Sequence, residues 1–265
     1  MPFWVAQDST PAERPSLKVM TLNIAHGRKE GPYQVFQRRN SIEANANDIA
    51  TLLRRVQPDI VALQEADGPS IWSGNFNHVL YLAEKGEFPY CVQGEHVSRM
   101  KLHYGTALLS ALLPKNPVSV TFAPSPPTFP KGFVVCTIQW PGDPDTDIDV
   151  VSVHLDFARR SVREKQVQQM ATKLARRNRP LIVMGDFNCE WASKEQTLPM
   201  LAEKLNLRAY KPRAAEMDTF PSSQRRLDWI LISLGIEFLT YKVLSDTVSD
   251  HLGLVAELGM VRGTT

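Results

Sequence analysis

The chain has 265 residues, of which 43% are hydrophobic and 22% are charged, and its formal net charge is +2 at pH 7. This is an ordinary globular composition with enough apolar residues for a sizeable core, in one large domain or two small ones. The mild positive charge neither requires nor excludes a polyanionic partner.

Strand-like and helix-like segments alternate irregularly along the chain. The strand-like runs are short, rich in β-branched residues and bounded by Pro, Gly, Asp or Asn. They are 17–24, 60–63, 106–110, 118–122, 133–140, 148–155, 181–184, 227–233, 238–244 and 252–258. Apolar residues recur every three or four positions in 42–56 and 162–174, and more weakly in 195–205, which predicts amphipathic helices. Segment 112–130 contains six prolines and is typical of a loop around an edge strand.

About ten strands with few helices predict two packed sheets flanked by helices, an α/β or α+β sandwich. The alternation is too irregular for a (β/α)₈ barrel. No linker separates two domains, so we expect an N-terminal extension over 1–16 and a single domain over 17–260.

The cysteines predict reduced thiols inside the cell. Cys91, Cys136 and Cys189 are widely spaced and form no CxxC pair, which disfavours a disulfide framework or a thiolate zinc site. The first 16 residues lack the features of a signal peptide, and no apolar run approaches the ~20 residues of a membrane helix. A cytoplasmic location is therefore expected.

Polar side chains follow several apolar runs. GDFN (185–188) comes directly after the run 181–184, and it is either a simple turn or the place where a strand end opens on a site. Five more apolar runs begin or end beside Asn, Glu, His or Asp. These residues are Asn23, Glu65, His154, Asp228 and the pair Asp250-His251. Carboxylates, carboxamides and two histidines are typical of a hard-cation phosphate site.

A family resemblance covers residues 17–258. Its motifs are, in chain order, TLNIAHG (21–27), LQE (63–65), YGTALLS (104–110), SVHLD (152–156), GDFN (185–188), TFP (219–221), RLDWILIS (226–233) and SDHLGLVAEL (249–258). Each motif is weak alone, but eight in this order resemble the endonuclease/exonuclease/phosphatase superfamily. That superfamily contains DNase I, exonuclease III, apurinic endonucleases, sphingomyelinases and inositol polyphosphate 5-phosphatases.

The resemblance implies a fold and a metal. The fold is a four-layered α/β sandwich of two packed, mostly antiparallel sheets, with the site at one edge. The reaction is Mg²⁺-dependent hydrolysis of a phosphate ester, with Mn²⁺ as a substitute. Glu65 resembles the main magnesium ligand, Asn23 lies beside it, and Asp250 resembles a metal-proximal carboxylate.

The resemblance also implies catalytic roles. His154 resembles the histidine that contacts the scissile phosphate, and Asp186 and Asn188 resemble the pair that orients the water and binds a phosphate oxygen. His251 resembles the general base or phosphate-stabilising histidine, and Asp228 the carboxylate that orients it. A carboxylate on the second ring nitrogen fixes the tautomer. We choose Asp228 over the adjacent Asp250 for this role, because adjacent strand residues usually point in opposite directions.

Two positions depart from the pattern of some relatives. Ala25 stands where some relatives have an acidic residue that helps to hold metal, which favours one magnesium ion over two. His154 stands where apurinic endonucleases and exonuclease III usually have Tyr, and is more like DNase I and the sphingomyelinases. The extra motifs of the inositol polyphosphate phosphatases are not found.

Three further residues are candidates for substrate binding, each with an alternative. Tyr104 either touches a phosphate or packs against the site, and Thr219 either donates to a phosphate oxygen or caps a turn. His26 either reaches the phosphate or shapes its loop. The predicted helix over 159–179 carries eight basic residues against the single acid Glu164, which indicates a solvated face or a surface for a phosphate-rich partner.

The sequence thus predicts a monomeric Mg²⁺-dependent phosphodiesterase with no stable protein partner. A nucleic acid or a phospholipid head group is the leading substrate, and a phosphomonoesterase is the next alternative. A non-catalytic binder on the same fold would be expected to have lost metal or base residues, whereas all of them are present.

Overall fold

The computed structural model describes residues 16–31, 37–192 and 195–261, in which twelve strands form two six-stranded sheets. The strands of the first sheet are β1 (Ser16–Asn23), β2 (Ile60–Asp67), β3 (Tyr90–Arg99), β4 (Leu102–Ser110), β11 (Ile236–Val243) and β12 (Leu254–Met260). Those of the second are β5 (Lys115–Thr121), β6 (Gly132–Trp140), β7 (Asp143–His154), β8 (Leu181–Asp186), β9 (Leu207–Ala209) and β10 (Asp228–Ser233).

Both sheets are mixed and mostly antiparallel. Their strand orders are β11-β12-β1-β2-β4-β3 and β5-β6-β7-β8-β10-β9. One parallel pair lies inside each sheet, β1 with β2 and β7 with β8. Parallel neighbours end at the same edge, so the polar residues that follow these strands are brought together.

Helices cover the outer face of each sheet. They are α1 (Arg39–Val56), α2 (His78–Lys85), α3 (Arg160–Ala175) and α4 (Thr197–Leu205). One apolar cluster fills the space between the sheets, a second packs the first sheet against α1 and α2, and a third packs the second sheet against α3 and α4. The predicted four-layered α/β sandwich is confirmed.

The basic helix is not a uniformly solvated face. The Arg163 guanidinium forms two hydrogen bonds to the Glu195 carboxylate, at 2.7 and 2.6 Å. The Arg177 guanidinium pairs in the same way with the fully buried Asp149, at 2.7 and 3.0 Å. These two arginines neutralise buried carboxylates and are not available to a phosphate-rich partner.

Three further findings bear on the sequence predictions. All three cysteines are free and buried. Among the described residues, no helix is both long and apolar enough to cross a membrane. The predicted extension over 1–16 lies outside the described residues except for Ser16, the first residue of β1.

Candidate active site

Three of the predicted residues lie side by side at one edge of the second sheet. In the strand register, Asp186 at the end of β8 faces His154 on β7 and Asp228 on β10. The Asp186 carboxylate is 3.4 Å from His154 Nε2 and 3.8 Å from His251 Nε2. The sheet therefore concentrates two carboxylates and two imidazoles around one point.

GDFN is both a tight turn and the end of a central strand. A Cβ at Gly185, whose φ is +150°, would lie 2.0 Å from the carbonyl oxygen of Val153, so only glycine fits between β7 and β8. Asp186 Oδ1 accepts the backbone N–H of Asn188 at 2.8 Å, while Asn188 Nδ2 donates to the Leu155 carbonyl at 3.0 Å. The turn leaves Asp186 Oδ2 facing the cluster.

Side-chain hydrogen bonds join the two sheets beneath this edge. Asn23 Nδ2 on β1 donates to Asp186 Oδ2 at 3.0 Å. Below it, Gln64 Nε2 on β2 donates to Ser152 Oγ on β7 at 3.0 Å, and this hydroxyl donates to the Leu63 carbonyl at 2.9 Å. These buried polar pairs fix the position of one sheet against the other. Sequence reasoning gave no role to Gln64 or Ser152.

Asp228 holds His251 in place. Asp228 Oδ2 lies 2.8 Å from His251 Nδ1, and Thr219 Oγ1 accepts the backbone N–H groups of Leu227 and Asp228, each at 3.0 Å. Thr219 is fully buried, so its contacts are those of a cap that positions Asp228. Burial would lower the pKa of His251, but the carboxylates of Asp228 and Asp186 outweigh it and raise the pKa to about 10.

Glu65 is held in a strained backbone position. The register between β2 and β4 shifts between Gln64 and Ala66, and Glu65 has a φ of +50° at this irregularity. Such conformations cost about 1–3 kcal/mol in a residue other than glycine and persist where the surrounding structure imposes them. The irregularity turns the Glu65 carboxylate into the cluster.

Basic side chains surround the Glu65 carboxylate. They are His26, Lys131, His154 and Arg28. Burial alone would raise the pKa of Glu65, but these neighbours lower it far below its usual range. Glu65 is therefore a carboxylate at any physiological pH, as an oxygen ligand for a hard cation must be.

His26 lies between two carboxylates. Its Nδ1 is 2.6 Å from Asp67 Oδ1, and its Nε2 is 3.3 Å from Glu65 Oε2. Burial lowers the pKa of His26, but the two carboxylates outweigh it and raise the pKa. Tyr104 is buried and packs edge-on against the His26 ring. These contacts fit His26 as a support for Glu65 and Tyr104 as a packing residue.

Lys131, the residue directly before β6, belongs to the candidate site but was missed by sequence reasoning. Its Nζ is 3.3 Å from both ring nitrogens of His154 and 4.0 Å from Glu65 Oε1. Burial lowers the pKa of Lys131 despite the nearby carboxylates. Burial and the Lys131 charge also lower the pKa of His154 well below its usual value, so its imidazole is neutral. The Pro-rich segment before Lys131 gave no signal of a buried cation.

Asp250 is paired with Arg28. The Arg28 guanidinium donates to Asp250 Oδ2 and lies 3.6 Å from Glu65 Oε2, so one cationic group already bridges the two carboxylates. The Glu65 and Asp250 carboxylates supply hard oxygen donors, and the electrostatic field between them stabilises a cation. Both properties fit a divalent metal ion. Asn23, the third predicted ligand, accepts the Ala25 N–H through its Oδ1 at 3.0 Å.

A second set of residues also fits a metal ion. Ligand atoms of Asp186, Asp228 and His251 all lie within 4.8 Å of one another. Asp228 Oδ1 in this group is buried and has no hydrogen-bond partner. A buried carboxylate oxygen without a hydrogen-bond partner is normally satisfied by a bound cation or a water molecule.

The sequence comparisons identify the class. The chain belongs to the Endonuclease/Exonuclease/phosphatase family, whose model matches residues 20–251. Members of this family are hydrolases that typically use divalent metal ions. No curated protein matches the sequence.

Solved structures share the fold at low sequence identity. A functionally unknown conserved protein from Enterococcus faecalis V583 has a TM-score of 0.76 at 19% identity, over 92% of this chain and 100% of that one. The human Nocturnin catalytic domain, which has a bound sulfate anion, has a TM-score of 0.71 at 18% identity, over 98% and 97%. A mannosyl-6-phosphatase from Bacteroides thetaiotaomicron VPI-5482 has a TM-score of 0.68 at 17% identity, over 92% and 99%.

Proposed function

We propose that this protein is a Mg²⁺-dependent phosphodiesterase, acting on a nucleic acid or on a phospholipid head group. The observation that supports it most is the buried cluster in which Asp186 faces both His154 and the Asp228–His251 pair, with Glu65 Oε1 4.0 Å from His154 Nε2. The sulfate in the human Nocturnin domain has the shape and charge of a phosphate group, and this chain shares that fold. Partially exposed Glu65 gives the cluster access to solvent.

The attacking water is proposed to lie between Asp186 and His251. Burial, and the charge of Asp228, raise the pKa of Asp186 and make it a stronger base than an ordinary carboxylate. The water gives its proton to Asp186, and its oxygen forms a bond to phosphorus. The bond to the leaving oxygen breaks, and that oxygen takes a proton from Lys131 or His154. His251, held by Asp228, neutralises the charge that develops on the phosphate oxygens.

The remaining groups act on the phosphate. Lys131 lies 3.3 Å from the His154 ring, and His154 contacts the same Asp186 carboxylate as His251. Both side chains are proposed to donate to non-bridging or leaving oxygens of the phosphate. Asn188, held by the turn at Asp186, is placed to orient the water or to bind a phosphate oxygen. Glu65 and Asp250 would hold the magnesium ion, which supplies further charge neutralisation at the phosphate.

Replacing Lys131 tests whether its ammonium acts on the phosphate. Lys131→Met should lower kcat/KM by about 10²-fold or more, because a positioned cationic donor is lost. Lys131→Arg keeps the charge and should retain more activity than Lys131→Met. Equal rates for Lys131→Met and the wild type, with unchanged melting temperatures, would remove Lys131 from the mechanism.

Arg28 is expected to compete with the metal ion for Glu65 and Asp250. Arg28→Ala should tighten Mg²⁺ and Mn²⁺ binding roughly fivefold in titration calorimetry, because a partly solvated ion pair contributes about 1 kcal/mol. The matched control is Lys29→Ala, which removes a neighbouring exposed cation paired with Asp48. Weaker metal binding in Arg28→Ala would instead show that Arg28 positions the ligands.

The reaction class is tested by hydrolysis of bis(p-nitrophenyl) phosphate and p-nitrophenyl phosphate with Mg²⁺, Mn²⁺ or EDTA. Metal-dependent cleavage of the diester supports the proposal. Cleavage of the monoester alone would establish the phosphomonoesterase alternative. The mannosyl-6-phosphatase from Bacteroides thetaiotaomicron, named for that activity, has the same fold. Metal binding without cleavage of either ester would favour a non-catalytic binder.

The oligomeric state and the cellular location of the enzyme are also proposed. We propose that it acts as a monomer in the cytoplasm, on a phosphate-ester substrate and without a stable protein partner. The three buried, unpaired thiols are compatible with a reducing compartment. Size-exclusion chromatography with light scattering tests the monomer, and a dimer at micromolar concentration would contradict it.

A further inference from the structure

An aromatic wall, formed by Trp72, Tyr104 and Phe129, adjoins the catalytic cluster. Its ring centroids are separated by 5.4 Å (Trp72–Tyr104), 6.4 Å (Trp72–Phe129) and 6.1 Å (Tyr104–Phe129). Phe129 meets both other rings nearly at right angles, the edge-to-face arrangement that aromatic pairs favour. The three residues come from separate parts of the chain, so the fold assembles the wall.

The aromatic wall contacts the catalytic cluster through the His26 ring. Trp72 and Tyr104 contact the His26 ring at centroid distances of 5.0 and 4.9 Å, and His26 lies 3.3 Å from the Glu65 carboxylate. The Trp72 indole N–H donates to Asp67, the carboxylate that also holds His26. A phosphate bound by the cluster therefore has this wall beside it.

The loop that carries Phe129 is anchored on both sides of the ring. Thr128 Oγ1 donates to the buried Asp156 carboxylate at 2.5 Å, and the Arg159 guanidinium donates to the Ser125 carbonyl. Two residues after Phe129, Lys131 enters the catalytic cluster beside His154. Rigid placement of this kind is what a recognition ring requires, since little conformational entropy is lost on binding.

Phe129 is the ring of the aromatic wall that is most accessible to a ligand. It is 36% exposed, and the Arg99 guanidinium lies over its ring at 5.4 Å from the centroid. A planar guanidinium beside an aromatic face is a pairing that binds flat heteroaromatic rings through stacking and cation–π contacts. The Tyr104 side chain, which is buried, backs this surface.

We propose that the aromatic wall is a ring-binding subsite for the substrate. It holds a flat heteroaromatic ring that a short spacer joins to the phosphate, with Phe129 and Arg99 as the specificity-determining residues. The inference rests on the proposed function for the position of the phosphate. It narrows the substrate to nucleotide-like phosphate esters.

The test uses two phosphonates, which have a carbon–phosphorus bond in place of the ester bond that a phosphoester hydrolase cleaves. Phosphonomethoxyethyl adenine carries the ring, and methoxyethoxymethyl phosphonate has the same spacer without it. In titration calorimetry with Mg²⁺, the adenine compound should bind the wild type roughly tenfold more tightly, as expected for one stacked base. Phe129→Ala and Phe129→Leu should each reduce this ratio to within about twofold.

Phe157→Ala is the matched control. Phe157 is 65% exposed on the neighbouring loop and forms no ring contact within the described chain, so the ratio should keep its wild-type value. Equal binding of the two phosphonates, binding of neither, or an unchanged ratio in Phe129→Ala would overturn the subsite. Hydrolysis of bis(p-nitrophenyl) phosphate reports separately on the proposed function, because ring-selective binding can persist in a protein that does not cleave this ester.

Discussion

Glu65→Ala is expected to reduce Mg²⁺-dependent turnover to the rate of the wild type in EDTA, a loss of about 10³-fold or more. The carboxylate is charged at physiological pH because four basic side chains surround it. Like Asp186, it lies within 4.0 Å of His154 Nε2. Measurement of kcat/KM on a diester with Mg²⁺ checks the loss of turnover, and Mg²⁺ calorimetry checks the expected loss of metal binding.

A second variant separates the metal role from the structural role of Glu65. Glu65→Ala leaves the surrounding cations without their shared partner, so its melting temperature must be compared with the wild type. Glu65→Gln keeps the size and one oxygen of the side chain but loses the charge, and should also lose Mg²⁺ affinity. Wild-type turnover in a folded Glu65→Ala protein would contradict the assignment of Glu65 as a magnesium ligand.

The Asp228–His251 pair carries the second large effect. His251→Ala should lower kcat by at least about 10²-fold, because a positioned group that stabilises the charge on the phosphate oxygens is removed. The effect should exceed that of Phe220→Leu, a change in the neighbouring ring that packs 4.8 Å from His251 without carrying a charge.

Asp228→Asn should move one limb of the pH–rate profile. The imidazolium of His251 is the proposed active form, so activity is present below its raised pKa and is lost as the pH rises through that pKa. Asparagine removes a charge that raises this pKa, so the basic limb of kcat/KM should move to lower pH by about one unit or more. An identical profile in Asp228→Asn would count against the orienting role.

Most residues of the candidate site could be predicted from the sequence, because strand periodicity and polar strand ends are local signals. GDFN, LQE and SVHLD each place a polar side chain directly after an apolar run, and the strand register then sets Asp186 beside His154 and Asp228. The choice of Asp228 over Asp250 as the neighbour of His251 agrees with the hydrogen bond that the structure shows, although the catalytic role of the pair stays a prediction.

Other features depend on contacts that no local pattern contains. The Asn23–Asp186 hydrogen bond joins residues 163 positions apart, on different sheets. Lys131 reaches His154 only because β6 and β7 pair, while its local sequence is a Pro-rich loop. Segment 90–99 became β3 although its run YCVQGEHVSR is too polar to be predicted as a strand. The short helix α2 was missed because eight residues give too little periodicity.

The most direct measurement is the Mg²⁺-dependent rate of bis(p-nitrophenyl) phosphate hydrolysis by the wild type and by Asp186→Asn, side by side. Asparagine keeps nearly the same shape and leaves a carbonyl oxygen to accept from Asn23 or Asn188. We predict a rate loss of at least about 10²-fold, with a closely similar melting temperature. Equal rates for the two proteins would contradict a phosphoester hydrolase centred on Asp186.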